Sequence, residues 1–220
     1  MKLFKKKLNA ITPMPTRTIV VWWICRGALL LWGLNGLFRG YTSEFVQSIF
    51  AIAFTHLWDL FQLLGGKSFI TLMPTQFQTD LNVFICIGVC VGSTLNNRTD
   101  FAYSDIFTHA VAGFIASGWC SQLLELMQYK KKAVLAPSIA AMAGFGVALA
   151  MLDGWEIYEF TMDRLYGFSL QMSTPFSESG LIDTMTDFII GAVGGLAGMF
   201  YYAAQGVRRR KNERKADDYE

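Results

Sequence analysis

Long apolar stretches, separated by short polar segments, extend along almost the whole chain. Crossing a hydrocarbon core of about 30 Å takes roughly 20 helical residues, and six stretches approach or exceed that length. They are predicted at residues 18–38, 44–64, 81–95, 101–127, 133–158 and 181–204, of which the third is the shortest. Because lipid offers no hydrogen bonds, the backbone in such stretches must satisfy its own, which favours α-helices. The pattern therefore predicts an all-α fold, a polytopic transmembrane helical bundle of about six spans.

The composition agrees with this pattern. Hydrophobic residues make up 53% of the 220 residues and charged residues only 16%, against about 25% charged in an average soluble protein. No linker or internal repeat divides the chain, so we expect a single integral-membrane domain of residues 1–220 with a basic cytoplasmic tail at 205–220. All four cysteines fall inside predicted spans, where packing residues are expected rather than disulfide partners.

The distribution of lysine and arginine predicts the orientation of the spans. With the N-terminus inside, the cytoplasmic segments hold fifteen of these residues, and the outer segments hold Arg39, Arg98 and Arg164. Positive charge accumulates on the cytoplasmic side of membrane proteins, so both termini are predicted to be cytoplasmic. The basic run RRRKNERK directly follows a span and lacks interleaved aromatic residues, which indicates contact with anionic membrane lipids and no nucleic-acid partner.

The last span carries small residues at helical spacing. Gly191, Gly194, Gly195 and Gly198 form two overlapping small-x-x-x-small pairs. Such pairs allow the backbone of a neighbouring helix to approach closely. We therefore expect the last span to pack tightly against another span.

Three predicted spans carry pairs of ionisable residues three or four positions apart. The pairs are Asp105 with His109, Glu156 with Glu159, and Asp183 with Asp187. At this spacing both members of a pair lie on one face of a helix. The fourth and sixth spans begin on the predicted outer side and the fifth ends there, so all three pairs are expected at a similar depth near the outer surface.

Five carboxylates and one imidazole at one depth in a low dielectric need compensating charge, because each unpaired buried carboxylate costs several kcal/mol. Carboxylate oxygens with one histidine suit a divalent metal ion such as Zn, Mn, Fe or Mg, and helical bundles build such centres from carboxylates on facing helices. The six paired residues are therefore predicted metal ligands, with His109 and Glu156 also predicted to be catalytic. The Glu-x-x-His repeat of di-iron bundles is absent from the chain.

A simpler interpretation is that these acids belong to helix ends near the lipid headgroups. Asp105 and Asp183 are plausible N-terminal helix residues, where a negative charge is favourable, and Glu159 could lie in water.

Other polar residues lie inside or beside the predicted spans. His56 and Asp59 share a helical face toward the cytoplasmic half of the second span, and Arg26 in the first span can pair with Asp59 or extend toward the cytoplasmic surface. Glu44 and Arg164 are predicted near the outer ends of spans, where either could border the acidic cluster. The outer loop from residue 161 to 180 is long enough to cover it.

The ordered motifs also carry a resemblance. The set Asp-x3-His-x3-Gly-Phe, Glu-x2-Glu-aromatic and Asp-Thr-x2-Asp, at residues 105–114, 156–160 and 183–187, resembles the YjdF-like family of uncharacterised bacterial inner-membrane proteins. The last motif, with the glycines that follow it, is distantly similar to VanZ-like membrane proteins. The resemblance implies a multi-pass protein of the bacterial inner membrane and implies no reaction.

Three functions of different class are compatible with these observations. The first is a metal-dependent enzyme that acts on a lipid or lipid-linked substrate at the outer leaflet. The second is a cation or proton transporter, which would need a polar path that continues toward the cytoplasm. The third is a non-catalytic membrane scaffold or assembly factor with a structural metal ion. The one-sided depth of the acids favours the enzyme.

The orientation can be tested with single cysteines in a cysteine-free background. A membrane-impermeant thiol reagent should label Ser177→Cys in intact cells, because the loop at 161–180 is predicted outside. The matched variant Lys131→Cys, in a predicted cytoplasmic loop, should react only after permeabilisation. The opposite labelling pattern would move the acidic cluster to the cytoplasmic side.

Overall fold

The computed structural model describes residues 14–63, 75–98, 103–130, 133, 135–171 and 178–217. These residues form α1 (Thr16–Phe38), α2 (Thr42–Leu63), α3 (75–98), α4 (Tyr103–Lys130), α5 (Pro137–Tyr166) and α6 (Glu178–Asp217). Helix α3 is continuous and consists of Thr75–Ile87, a π-helical turn at Gly88–Gly92, and Ser93–Arg98. No strand occurs in the described ranges, so the predicted all-α fold is confirmed.

Among the described residues, five helical segments are long and apolar enough to cross a membrane. They are Thr16–Phe38, Phe77–Leu95, Tyr103–Gln128, Pro137–Tyr166 and Gly180–Arg208. Helix α2 has 22 residues but is not among them, and its sequence includes Glu44, His56 and Asp59. A multi-pass membrane bundle is confirmed, whereas a sixth crossing by α2 and the cytoplasmic location of both termini stay predictions.

Several predicted boundaries need correction. Helix α3 begins at Thr75 rather than 81. Its first turns are polar, so a search for apolar stretches did not detect them. Helix α5 begins with Pro137, a residue suited to a first helical turn, and continues past residue 158 to Tyr166. It ends at Gly167, whose φ of 67° is the left-handed conformation common at helix C-termini.

The loop predicted at residues 161–180 is shorter than expected, and the basic tail is largely helical. Residues 161–166 belong to α5, and residues 172–177 of the predicted covering loop lie outside the described part of the chain. The predicted tail at 205–220 continues α6 as a helix to Asp217, because nothing in its charged sequence interrupts a helix. Residues 218–220 lie outside the described ranges.

The described residues fall into two compact units, one before and one after residue 101. That they form a single integral-membrane domain stays a prediction. In the N-terminal unit, Arg26 on α1 forms a salt bridge with Asp59 on α2 at 3.0 Å, and His56 Nδ1 lies 2.8 Å from the same carboxylate. The predicted pairing of these three residues is therefore confirmed, whereas its location inside the membrane stays a prediction. The Arg26 guanidinium also lies over the rings of Trp22 and Trp23.

A second ion pair joins α2 and α3 in the N-terminal unit. Arg98 Nε donates to Glu44 Oε1 at 2.9 Å, and its Nη2 contacts the other carboxylate oxygen. Glu44 is fully buried, so the bidentate pair supplies the compensation that a buried carboxylate requires. Glu44 therefore has its ionic partner within the N-terminal unit, and whether it also borders the acidic cluster stays a prediction.

In the C-terminal unit, glycines bring the backbones of α4 and α6 into direct contact. A Cβ at Gly113 would overlap the carbonyl oxygen of Gly191, and a Cβ at Gly194 would overlap that of Ala110. Gly198 has the same relation to Phe114. The close approach predicted for the last span is therefore confirmed, and α4 is its partner.

This contact lies next to the ionisable residues. Gly113 follows His109 by one helical turn, and Gly191 follows Asp187 by one turn. Because the two backbones touch at these glycines, the side chains one turn earlier must face each other at short range. The glycine contact thus determines how closely the acids of α6 approach the histidine of α4.

A methyl group at the contact should separate the helices. We expect Gly113→Ala to lower the free energy of unfolding by about 1–3 kcal/mol, since an added group in a full interface forces the backbone to move. Gly118→Ala on the same helix is the matched control, because a Cβ there has no atom within 4 Å, and alanine favours helices over glycine. Thermal unfolding in detergent measures both variants. Equal stability of the two would contradict a backbone contact at Gly113.

Candidate metal site in the C-terminal unit

The imidazole of His109 lies among carboxylates from three helices. Its Nε2 is 3.7 Å from Asp105 Oδ1 on α4 and 3.9 Å from Asp187 Oδ2 on α6. Its Nδ1 is 3.7 Å from Glu156 Oε1 on α5. These separations exceed hydrogen-bonding distance. The two ring nitrogens therefore face two different sets of acids.

The distances suit a shared metal ion. Two ligand atoms that each lie about 2.1 Å from a metal ion are about 3.4 Å apart at a tetrahedral angle and about 4.2 Å apart across the ion. Ligand atoms of Asp105, His109 and Asp187 all lie within 4.8 Å of one another, and no other group of three potential ligands does so among the described residues. A modest contraction around an ion would bring all three into its coordination shell.

Burial makes these groups costly without a partner. His109 is 5% exposed, Asp187 2% and Glu156 5%. Both carboxylate oxygens of Glu156, together with Asp183 Oδ2 and Asp187 Oδ2, are buried without a hydrogen-bond partner. The Thr184 hydroxyl is close to Glu156 but does not form a hydrogen bond of good geometry with it. A buried acceptor without a donor costs about 1–3 kcal/mol, and more when it is charged, so these oxygens require a cation or a proton as a partner.

Glu159 has a different environment. It is buried, which excludes the interpretation that it lies in water, and its Oε1 accepts a hydrogen bond from Trp155 Nε1 at 2.8 Å. It lies three residues after Glu156, on the same face of α5. The structure thus places all six predicted residues in one region of the C-terminal unit, with His109 and its three neighbouring acids at its centre.

One buried acid of this region was not predicted. Asp163 on α5 is 1% exposed and accepts backbone hydrogen bonds from Leu170 N at 2.8 Å and Gln171 N at 3.1 Å. Gln171 Nε2 in turn donates to Thr184 Oγ1 on α6 at 2.7 Å. The network connects the end of α5 to the start of α6. Its sequence signal was the spacing of Asp163, one turn after Glu159 and shortly before a glycine.

Arg164 was suggested as a border of the cluster. Its guanidinium lies 4.8 Å from the centre of the Phe160 ring, a cation–π contact on its own helix. Whether it also borders the acids stays a prediction. The predicted covering loop at 172–177 lies outside the described residues.

The two nitrogens of His109 can have distinct roles. A histidine that binds a metal ion through one nitrogen usually donates its other N–H to a carboxylate, which fixes the tautomer. Here Nε2 faces Asp105 and Asp187, whereas Nδ1 faces Glu156. The geometry therefore favours Nε2 as the ligand atom and Nδ1–H as the donor to Glu156.

Comparison with known proteins identifies a family, whose description names no reaction. No match to the chain was found among curated proteins or among solved structures. The model of the family described as "Predicted membrane protein (DUF2238)" matches residues 18–208, a range that includes every helix from α1 to the apolar part of α6. Because the match covers most of the chain, the protein belongs to the DUF2238 family of predicted membrane proteins.

Proposed function

We propose that this protein binds a divalent metal ion through Asp105, His109 and Asp187, and that the bound ion serves a reaction on a lipid or lipid-linked head group. The observation that carries the proposal is the convergence of these three ligand atoms within 4.8 Å, on two helices whose backbones touch. The orphaned buried oxygen Asp187 Oδ2 supports it, because a cation would supply the missing partner.

The ligand atoms limit which metal ions can bind. One imidazole nitrogen with carboxylate oxygens suits Zn, Mn, Fe or Mg, whereas thiolate-preferring ions would find no sulfur among these three residues. A divalent ion bound here would polarise an oxygen of the substrate or activate a water molecule.

The chain's own residues have separable tasks in such a site. His109 would hold the ion through Nε2, and Glu156 would accept its Nδ1–H. A ligating histidine cannot also accept a proton, so His109 would hold the ion and would not act as the general base, while Glu156 would fix the orientation of its ring. Asp163 and Gln171 position α6 relative to α5 and do not take part in proton transfer.

The location of the site favours a substrate at the membrane surface. Asp105 and Asp187 lie near the starts of α4 and α6, and Glu156 lies toward the end of α5. With the orientation predicted from the basic residues, this is the outer side of the bacterial inner membrane, at the depth of lipid headgroups. A relationship to YjdF-like and, distantly, to VanZ-like membrane proteins of the bacterial inner membrane is part of what we propose.

A proton or cation transporter is the alternative, and a structural metal in a scaffold is a further one. The orphaned oxygens of Glu156 and Asp183 favour the transporter in one respect, because protons could neutralise them as well as metal ions. Against it, Arg26, His56 and Asp59 of the N-terminal unit are engaged with each other.

Metal content and thermal stability test the metal site. We expect Asp187→Asn to lower the bound divalent metal of the purified protein at least tenfold, because it removes a charged ligand. A chelator should lower the melting temperature of wild type and have little effect on this variant, since a ligand at 100 times its Kd stabilises by about 2.7 kcal/mol.

Asp153→Asn is the matched control, because Asp153 is an exposed acid on the same unit. It should keep both the metal and the response to chelator. The metal site would be excluded if wild-type protein purified without metal, took up none on addition, and kept its melting temperature in the presence of a chelator. The proton relay would then be the better function.

A further inference from the structure

We propose that the cluster holds a second divalent cation, bound between Glu156 on α5 and Asp183 on α6 beside the ion at His109. This inference rests on the proposed function, since it assumes that the first ion occupies the site of Asp105, His109 and Asp187. It concerns the acids that the first ion leaves without a partner.

The buried acids differ in how their oxygens are satisfied. Both oxygens of Asp163 accept backbone N–H groups, and Oε1 of Glu159 accepts the indole N–H of Trp155. Glu156 is equally buried, yet neither of its oxygens has a hydrogen-bond partner. Asp163 is therefore a structural acid, whereas Glu156 has the free lone pairs that a ligand needs.

The first ion cannot satisfy Glu156 and Asp183. An ion at Asp105 and Asp187 leaves His109 Nδ1–H as a donor, and that donor can serve one oxygen of Glu156. The other oxygen of Glu156 and Asp183 Oδ2 then stay buried and unpartnered. The two acids border the same imidazole: Glu156 Oε1 lies 3.7 Å from His109 Nδ1, and Asp183 is one turn before Asp187, whose Oδ2 lies 3.9 Å from Nε2. Two ionised carboxylates in this buried region destabilise the fold unless positive charge lies between them.

A divalent cation between the two carboxylates would supply the positive charge. The two carboxylates come from facing helices, which is how helical bundles build sites for two ions. Oxygen ligands suit Mg or Mn, and Zn or Fe as well. Two ions side by side would let one activate water while the other holds the oxygen of a substrate. A single proton shared by the two acids is the competing explanation.

Mn²⁺ binding to the full-length protein in nanodiscs distinguishes the explanations, because Mn²⁺ is counted by elemental analysis and detected by electron paramagnetic resonance. We expect two Mn²⁺ per chain, with a spectrum broadened by the interaction of neighbouring spins. Glu156→Gln should bind one Mn²⁺ with the resolved six-line spectrum of an isolated ion. The exposed control Asp153→Asn should retain two interacting ions.

The outcomes separate this inference from the proposed function. One Mn²⁺ per wild-type chain, with a six-line spectrum that Asp187→Asn abolishes and Glu156→Gln leaves unchanged, would overturn the second site and keep the first. Absence of Mn²⁺ binding to wild type would overturn both. If Glu156→Gln does not fold, Asp183→Asn replaces it, and the stoichiometry of wild type decides without either variant.

Discussion

The contact between the backbones of α4 and α6 is the constraint on which the candidate site depends. Gly113, Gly191 and Gly194 remove the side chains that would otherwise keep these helices apart. Membrane helices cannot be driven together by the exclusion of water from apolar side chains, so close packing of this kind carries much of their association. Once the backbones touch, His109 and Asp187, each one turn earlier, must face each other across the interface.

The two units of the chain differ in how their buried acids are compensated. In the N-terminal unit, Arg26 pairs with Asp59 and Arg98 pairs with Glu44 in bidentate fashion. These acids have their compensation within the chain and give α1, α2 and α3 specific partners. In the C-terminal unit, Glu156, Asp183 and Asp187 retain buried oxygens without hydrogen-bond partners. Buried ionisable side chains without partners are typical of functional sites, which is why the proposals concern this unit.

The acids of the C-terminal unit also differ among themselves in the donors they receive. Asp163 is saturated by backbone N–H groups, and through Gln171 it connects α5 to Thr184 on α6. Oε1 of Glu159 accepts a hydrogen bond from Trp155, whereas neither oxygen of Glu156 has a hydrogen-bond partner. Burial alone therefore does not identify a functional carboxylate. The number of donors that each buried carboxylate receives is the more informative property.

The sequence by itself determined the helical membrane fold, the small-residue face of the last span and the three ionisable pairs. Apolar length and helical spacing are local properties, and they can be read without knowing which helices are neighbours. Only the tertiary structure decided that His109 directs one nitrogen toward Asp187 and the other toward Glu156, that Glu44 belongs to Arg98, and that Asp163 is structural. Those outcomes depend on which helix faces touch and on where each buried oxygen finds a donor, and neither is encoded in spacing along one helix.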